Sequence, residues 1–225
     1  MKCAYCAESC IKRGKRKDRQ CYQCKCCKKY QQKAYSKPRI PEWKYAVTLS
    51  LHNKGMGVCA LAEHLSISAS SVLRVMLRLG KTVLPPTIAE SDESYEIDEL
   101  CTFAGNKKNK IWIIYAINRR TRQIVAFCVG GRTKKNLRKV VRTVLRLNPR
   151  RIYTDKLSTY KNLIEQEIHK IYPRCTNHIE RKNLTLRTRL KRLGRRTICF
   201  NRSAQMLHNA MYLWVCGDPF VRIAA

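Results

Sequence analysis

Three carboxylates stand apart in this strongly basic chain: Asp98, Asp155 and Glu180. The chain has 47 Lys and Arg against 15 Asp and Glu, which gives a formal net charge of +32. Asp155 is the only acid between positions 100 and 164, and Glu180 is the only one between 168 and 217. Since a surface that attracts polyanions gains nothing from isolated acids, we interpret all three as ligands of a divalent metal that acts on phosphate. All-oxygen ligands favour Mg²⁺, or Mn²⁺.

Each acid also has a simpler interpretation that the sequence leaves open. Asp98 could be a strand-edge charge beside Glu96 and Glu99. Asp155 could cap a helix that begins near position 158. Glu180 could form an ion pair along its own helix, with position 187 or 191.

Thirteen cysteines, seven of them in the first 27 residues, indicate a second metal site. The pairs Cys3/Cys6 and Cys24/Cys27 are separated by 17 residues, a spacing that lets four thiolates close a tetrahedral Zn²⁺ site and so fold a short segment. Cys21/Cys24 makes an equally good second pair. We prefer Cys24/Cys27 because polar and aromatic residues frame it. Unmetallated thiols in a basic arm are the alternative, and the six cysteines beyond this cluster are expected to be small buried hydrophobes.

The elements that must position the acids follow from periodicity. Residues 95–103, 111–117 and 124–129 are expected to form an antiparallel meander. An amphipathic helix over 134–147 and a short strand over 151–154 follow, and Asp155 ends that strand. This order is the ribonuclease H-like architecture, a mixed α/β sheet that places Asp98 and Asp155 on neighbouring central strands. A helix over 177–190 carries Glu180, with Asn177, Asn183 and Arg187 along the same face. A last packing helix is expected over 201–214.

In the segment 42–82, apolar residues recur at helical spacing, interrupted by turn residues. This pattern predicts three short helices in a helix-turn-helix layout. Ser68 is expected to cap the third helix, which would present Ser70, Ser71 and Arg74 to a DNA major groove. Arg187 is expected to bind phosphate. A linker or dimerisation bundle is the alternative for this segment. We therefore predict four parts: a zinc knuckle (1–37), the helix-turn-helix domain (42–82), a linker (83–94) and the catalytic domain (95–216).

Charge and composition select nucleic acid as the partner over an anionic membrane or acidic proteins, because no lipid-anchor motif or long amphipathic surface helix is present. No stretch reaches about 18 apolar residues, and the N-terminus lacks the apolar run of a signal peptide. The expectation is a cytoplasmic protein without membrane contact.

The sequence resembles transposases of the insertion-sequence-one type, members of the DDE class with a ribonuclease H-like catalytic domain. The residues that carry the resemblance are the knuckles with Gln20 and 22–25, the helix-turn-helix, and the motifs 96–100, 152–155 and 176–183. The resemblance implies that Asp98, Asp155 and Glu180 form the acidic triad, with His178 and Arg181 near the scissile phosphate or transposon-end DNA. Cys101, where an aromatic residue is expected, and the extra Cys21 depart from the pattern without touching the triad.

The resemblance implies a DNA transposase that binds double-stranded DNA, both the terminal inverted repeats of its element and target DNA, and that cleaves and joins strands with the help of metal. A homo-oligomer is expected because two ends must be brought together, and the resemblance also implies a protein associated with the bacterial nucleoid. A sequence-specific DNA-binding regulator with an inactive catalytic domain and a ribonuclease H-like nuclease are the competing hypotheses. The repeat sequence, target preference and oligomer number do not follow from the sequence.

Overall fold

A computed structural model of the chain describes residues 1–16, 18–33, 40–83, 92–194 and 201–217. The chain divides into two compact units, Met1–Pro41 and Glu42–Ala225. Most of the predicted linker and Cys199 lie outside the described residues. The four-part division of the chain therefore stays a prediction.

The first unit contains a three-stranded antiparallel sheet that the sequence pattern did not predict. Its strands are β1 (Cys10–Arg16), β2 (Arg19–Cys24) and β3 (Tyr30–Gln32), in the order β1-β2-β3. Its buried set is small and half of it is cysteine: Cys3, Tyr22, Cys24 and Gln31. So few buried side chains cannot stabilise a fold of this size alone, and a bound metal ion could supply the missing folding free energy.

The second unit begins with the three predicted helices, α1 (Glu42–Asn53), α2 (Val58–His64) and α3 (Ala69–Thr82). Ser68 is the N-cap of α3, as predicted, and its hydroxyl accepts a hydrogen bond from the Ser71 N–H at 3.1 Å. The inner face of α3 is buried and apolar: Val72, Val75, Met76 and Leu79. No single helix among the described residues has the length and apolar composition of a membrane span, and α2 and α3 pass that test only together, across a 105° bend.

A five-stranded mixed sheet forms the centre of the second unit. In chain order the elements are β4 (Ser94–Ala104), β5 (Asn106–Asn118), β6 (Ile124–Gly130), α4 (Lys134–Leu145), β7 (Arg151–Tyr153), α5 (Ser158–Lys161), β8 (His169–Lys170), α6 (Asn177–Arg189) and α7 (Ala204–Cys216). The strand order is β6-β5-β4-β7-β8. β4 pairs antiparallel with β5 and parallel with β7, as expected, and this mixed α/β arrangement fits the ribonuclease H-like architecture. The short edge strand β8 was not predicted.

The two faces of this sheet carry separate hydrophobic clusters, because successive residues of a strand point to opposite sides. On one face Tyr95 and Ile97 of β4 pack with the apolar side of α4 and with Tyr160 of α5. On the other face Leu100 packs with buried residues of α6 and α7, among them Ile179. We call the side of the sheet covered by α4 the α4 face and the side covered by α6 and α7 the α6 face.

Helix α7 also joins the three N-terminal helices to the sheet. The Asn209 amide donates to the Met76 carbonyl at 2.7 Å, and the Tyr212 hydroxyl donates to the Val83 carbonyl at 2.8 Å. The His52 Nε2 of α1 lies 3.1 Å from the Ala210 carbonyl oxygen. Helices α1–α3 are therefore attached through α7, on the α6 side of the sheet.

The expectation that the later cysteines are all buried is wrong for Cys59, which is exposed. Cys175 and Cys216 are buried, whereas Cys101 and Cys128 are only partly so. Cys59 lies in the first turn of α2, where the apolar side is formed by Leu61 instead.

Candidate active site

Asp98 and Asp155 meet where β4 and β7 run side by side. Parallel pairing of Glu96 with Tyr153 brings the residues that follow β7 next to Asp98. Carboxylate oxygens of Asp98, Glu99 and Asp155 lie within 4.8 Å of one another. Three carboxylates this close repel one another unless positive charge lies between them, and a cluster of this kind can hold a metal ion.

Glu99 is a member of this cluster that the sequence analysis did not single out. Its side chain is 1% exposed and accepts hydrogen bonds from the Tyr160 hydroxyl and, at 2.8 Å, from Arg132. Burial raises the pKa of Glu99, and the pKa of Tyr160 is also raised, by burial and then by Glu99. Strand alternation places Glu99 on the α4 face, opposite to Asp98. The two carboxylates can both approach Asp155 because it lies beyond the end of β7, outside the alternation of the strand.

Arg132 lies between two of these acids. It is 3.8 Å from the Asp155 carboxylate, and its guanidinium sits 4.9 Å from the centre of the Trp112 ring. The aromatic ring and Glu99 fix the position of this cation. Asp155 is itself oriented by the Leu157 N–H, which donates to Oδ1 at 3.0 Å.

On the α6 face, Asp98 is oriented by a short chain of hydrogen bonds. The Asn183 amide of α6 donates to Asp98 Oδ2 at 2.8 Å, and the Tyr115 hydroxyl of β5 donates to Asn183 Oδ1 at 2.7 Å. The Tyr115 hydroxyl also lies 3.1 Å from the Ile179 carbonyl. Burial first, and then the Asp98 charge, raise the pKa of Tyr115, so the phenol stays a donor. Asn183 therefore couples the position of α6 to the orientation of Asp98.

Glu96 connects the same strand to the start of α6. Its carboxylate is fully buried, accepts the Ile179 N–H at 2.8 Å and lies 3.1 Å from Arg119 Nε. Burial raises the pKa of Glu96, opposed by the helix N–H groups and by Arg119. His178 Nε2 is 3.9 Å from this carboxylate, and burial, followed by Arg122 and Arg119, lowers the pKa of His178. His178 thus lies beside the carboxylate that anchors α6 to β4, and that carboxylate is two residues before Asp98 on the strand.

Glu180, the third predicted ligand, is not in the carboxylate cluster. It is exposed in the first turn of α6, and its Oε1 accepts a hydrogen bond from the Thr176 hydroxyl at 3.3 Å. Arg181 is also exposed. Arg187 donates to the Leu193 carbonyl at 3.1 Å and approaches the Cys101 carbonyl at 3.4 Å. The structure therefore brings two of the three predicted acids together and places the third on the adjacent helix.

The four preferred cysteines, Cys3, Cys6, Cys24 and Cys27, have sulfur atoms within 4.8 Å of one another. The Cys3 and Cys27 sulfurs are 3.6 Å apart, and those of Cys6 and Cys24 are 3.4 Å apart. Zn–S bonds of about 2.3 Å place tetrahedral thiolates roughly 3.8 Å apart, so the donor set fits Zn²⁺. The Tyr5 N–H points at the Cys3 sulfur at 3.4 Å and lowers the pKa of that thiol.

Two of the three remaining thiols of the cluster, Cys10 and Cys21, are engaged elsewhere. The Gln31 amide donates to the Cys10 sulfur at 3.1 Å, and the Gln32 amide donates to the Cys21 sulfur at 3.2 Å. The geometry thus favours the Cys24/Cys27 pairing over Cys21/Cys24 as the second half of the site.

A family model described as "IS1 transposase" matches residues 94–216, more than half of the chain. The chain belongs to the IS1 transposase family. The insertion element iso-IS1n protein InsB of Shigella dysenteriae is 37% identical over 111 residues, which are 49% of this chain and 85% of that protein. The insertion element IS1 protein InsB of Shigella flexneri is 33% identical over 111 residues, with the same coverage.

Among solved structures, this IS1-family chain resembles a cryo-EM structure of a simian T-cell lymphotropic virus intasome in complex with PP2A regulatory subunit B56 gamma. The TM-score is 0.40 with 14% identity, covering 74% of this chain and 67% of that chain. A likeness of this size supports no inference about function.

The predicted DNA-reading residues of this IS1-family chain lie at the start of α3. Ser70 and Arg74 are exposed, and Ser71 is partly exposed. Arg74 Nη2 donates to the Ser71 hydroxyl at 3.1 Å, and its Nε approaches the Ser70 carbonyl at 3.4 Å. Because the opposite side of α3 is buried, these groups face away from the core.

Proposed function

We propose that the chain is a DNA transposase that binds the terminal inverted repeats of its insertion sequence and catalyses metal-dependent strand cleavage and strand transfer. The observation that carries the proposal is the cluster of Asp98, Glu99 and Asp155 at the junction of β4 and β7, in a chain that belongs to the IS1 transposase family. An inactive regulator would have no use for three adjacent carboxylates in a basic protein.

The residues present fit Mg²⁺ or Mn²⁺, because the donor set is made of carboxylate oxygens and the Asp155 side chain is 43% exposed. A divalent ion held there would stabilise charge on the reacting phosphate and acidify bound water. The chain's own residues prepare the site. Asn183 orients Asp98, the Leu157 N–H orients Asp155, and Arg132 reduces repulsion between Glu99 and Asp155.

Glu180 remains the proposed third acid. It lies three residues before Asn183 on α6, a rise of about 4.5 Å along the helix. Asn183 reaches Asp98 directly, so a change of side-chain rotamer at the exposed Glu180 would bring its carboxylate toward the same cluster. His178 and Arg181, on the same turn, are proposed to contact the scissile phosphate or the DNA end.

DNA recognition is proposed for the N-terminal half. The exposed edge of α3 with Ser70, Ser71 and Arg74 suits a major groove, and a Zn²⁺ held by the four clustered cysteines would fold the first unit. Arg187, which binds backbone carbonyls of its own chain, is proposed to add positive charge beside the site. A homo-oligomer is proposed because two ends must be synapsed.

A strand-transfer assay with Mg²⁺ and inverted-repeat DNA tests the proposal. Asp155→Asn should reduce joining by at least about 1,000-fold, because one ligand and one negative charge are lost, while end binding changes by less than about 3-fold. Glu167→Gln is the matched control, since Glu167 is an exposed acid of the same unit. Equal loss of binding and joining in Asp155→Asn would contradict the metal role, and products that are cut but never joined would indicate a nuclease.

Glu180→Gln and Glu99→Gln in the same assay decide which glutamate completes the site. A defect as large as that of Asp155→Asn in Glu180→Gln, with a smaller one in Glu99→Gln, supports Glu180. The reverse order would assign the role to Glu99.

A further inference from the structure

The outer face of α4 is the most strongly charged helix surface in the second unit outside the carboxylate site. It carries a set of exposed cations: Lys134, Lys135, Arg138, Lys139, Arg142 and the C-cap residue Arg146. The helix contains no acid. In the described parts of the chain, none of these six has an acidic group within 4.0 Å. From Lys135 to Arg146 the row is about 16 Å long.

This row of cations destabilises the helix that carries it. Residues four apart on a helix are neighbours, and Lys135/Lys139, Arg138/Arg142 and Arg142/Arg146 are all like-charge pairs at that spacing. Lys134 and Lys135 also lie in the first turn, where the helix dipole disfavours cations. The charges therefore do not serve the stability of α4, which comes from its buried apolar side. Their use must lie in what they bind.

The row starts beside the carboxylate cluster. Arg132, which contacts Glu99 and approaches Asp155, is two residues before Lys134. Thr133 caps the helix between them. A polyanion lying along α4 would thus lead directly into the candidate active site from the α4 face.

The DNA proposed to be read by α3 approaches from the other side of the sheet. Helices α1–α3 are attached through α7, which packs on the α6 face. The apolar side of α4 packs on the opposite face, and its cations point away from the sheet. The two basic surfaces of the second unit are therefore suited to two different duplexes, with the carboxylates between them.

The side chains of α4 suit a phosphate backbone and do not suit base recognition. Its two uncharged polar residues are used locally: Asn136 donates to the Gly131 carbonyl at 2.9 Å, and Thr143 donates to the Lys139 carbonyl at 3.1 Å. The helix has no aromatic residue on which an unpaired base could stack. What remains is flexible positive charge, which binds duplexes without regard to sequence.

We infer that the outer face of α4 binds the phosphate backbone of the target duplex, independently of its sequence, and delivers that duplex to the carboxylate cluster. This inference rests on the proposed transposase function, and it assigns target DNA to α4 and the transposon end to α3. The charged row and its position beside Arg132 carry it.

Full-length protein with Lys135→Gln, Arg138→Gln and Arg142→Gln together tests the inference. Fluorescence anisotropy measures affinity for a short duplex without inverted repeats, from about 50 to about 200 mM salt. Each lost phosphate contact lowers the slope of log binding constant against log salt concentration by about 0.9 in magnitude. The triple variant should therefore have a slope smaller in magnitude by about 2 to 3, and it should bind at least about 10-fold more weakly. Strand transfer into target DNA should fall by a similar factor, whereas binding and cleavage of the transposon end should stay within about 3-fold.

The matched control is Lys107→Gln, Lys108→Gln and Lys110→Gln, three exposed cations of β5 whose loss changes the net charge equally. An equal loss of affinity in this control would show a net-charge effect and overturn the inference, and so would an unchanged salt slope in the α4 variant. Equal loss of end binding, or tighter binding of duplex RNA than of duplex DNA, would also overturn it. Thermal unfolding at low salt excludes misfolding, because removing like charges should leave the α4 variant at least as stable as the wild type.

The two proposals fail in different ways. If the wild-type protein neither cuts nor joins its ends, the transposase function fails, yet the salt slopes still decide whether α4 binds DNA. If the ends are cut and joined normally by the α4 variant, only the assignment of α4 fails.

Discussion

The two helices that flank the carboxylates, α4 and α6, are held against the same sheet by different forces. Helix α4 buries four apolar side chains, Leu137, Val140, Val141 and Val144, and Thr133 caps its N-terminus. Helix α6 buries only Ile179 and Leu186, and no side chain of its own caps its N-terminus. In place of a local cap, Glu96 of β4 accepts the Ile179 N–H from the sheet.

This difference separates positioning from stability. Polar contacts are directional, so Glu96, Asn183 and Tyr115 fix both the rotation and the height of α6 relative to Asp98. Apolar packing on the α4 face stabilises the helix without such directional precision, and it leaves the exposed cations of α4 available to an outer partner. The α6 face therefore sets the geometry of the site, whereas the α4 face provides a platform beside it.

The largest expected effect comes from removing one leucine on each face. Leu137→Ala and Leu186→Ala should each lower the free energy of unfolding by about 2 to 5 kcal/mol, because both side chains are fully buried. Denaturant unfolding measures this loss. The rate of strand cleavage by the folded fraction should distinguish the two variants. Leu186→Ala shifts Asn183, so its cleavage rate should fall on the order of 10- to 100-fold, while the rate of Leu137→Ala should change little. Equal losses of cleavage would refute the division between the faces.

A smaller effect is expected where α3 approaches α7. A Cβ at Gly80 would overlap the Asn209 amide oxygen and come within 2.7 Å of its Cγ, and that amide donates to the Met76 carbonyl. Gly80→Ala gains about 1 kcal/mol of helix propensity but should still destabilise by about 1 kcal/mol, since the contact is overpacked. In an Asn209→Ala background the same substitution should become stabilising, a coupling of about 2 kcal/mol in a double-mutant cycle. Additive effects would show that α3 and α7 are not in close contact.

Helices and strands with long regular patterns could be predicted from the sequence. The capped, strongly amphipathic α3 and the continuous apolar run of β5 were predicted to within a few residues. A helix buried on one side shows apolar residues with a period near 3.6, and a strand buried on both sides shows an uninterrupted apolar run. The two-residue β8 and the strands of the first unit could not, because they bury too little to produce a pattern. Cysteine spacing, together with the polar and aromatic residues that frame Cys24/Cys27, predicted the four clustered thiols.

The candidate site was predictable only in part. Asp155 was found from its isolation among basic residues, and the strand order placed Asp98 beside it. Glu99 was passed over because alternation assigns neighbours to opposite faces, and only the three-dimensional end of β7 shows that both can reach Asp155. The exposed position of Glu180 depends on a side-chain rotamer, which a sequence pattern does not encode.

The smallest effect tests how each helix begins. Thr133→Ala removes the hydroxyl that accepts the Asn136 N–H at 3.3 Å, so α4 should lose about 1 kcal/mol. Thr176→Ala, at the corresponding position of α6, is the matched control and should cost close to nothing. Thr176 makes no cap hydrogen bond, its hydroxyl donates only to the exposed Glu180 carboxylate at 3.3 Å, and Glu96 already binds the first turn from the sheet. Chemical denaturation of both variants measures the difference. A cost at Thr176 equal to that at Thr133 would mean that α6 begins by its own local capping, and the buried Glu96 carboxylate would then need another reason to be retained in the core.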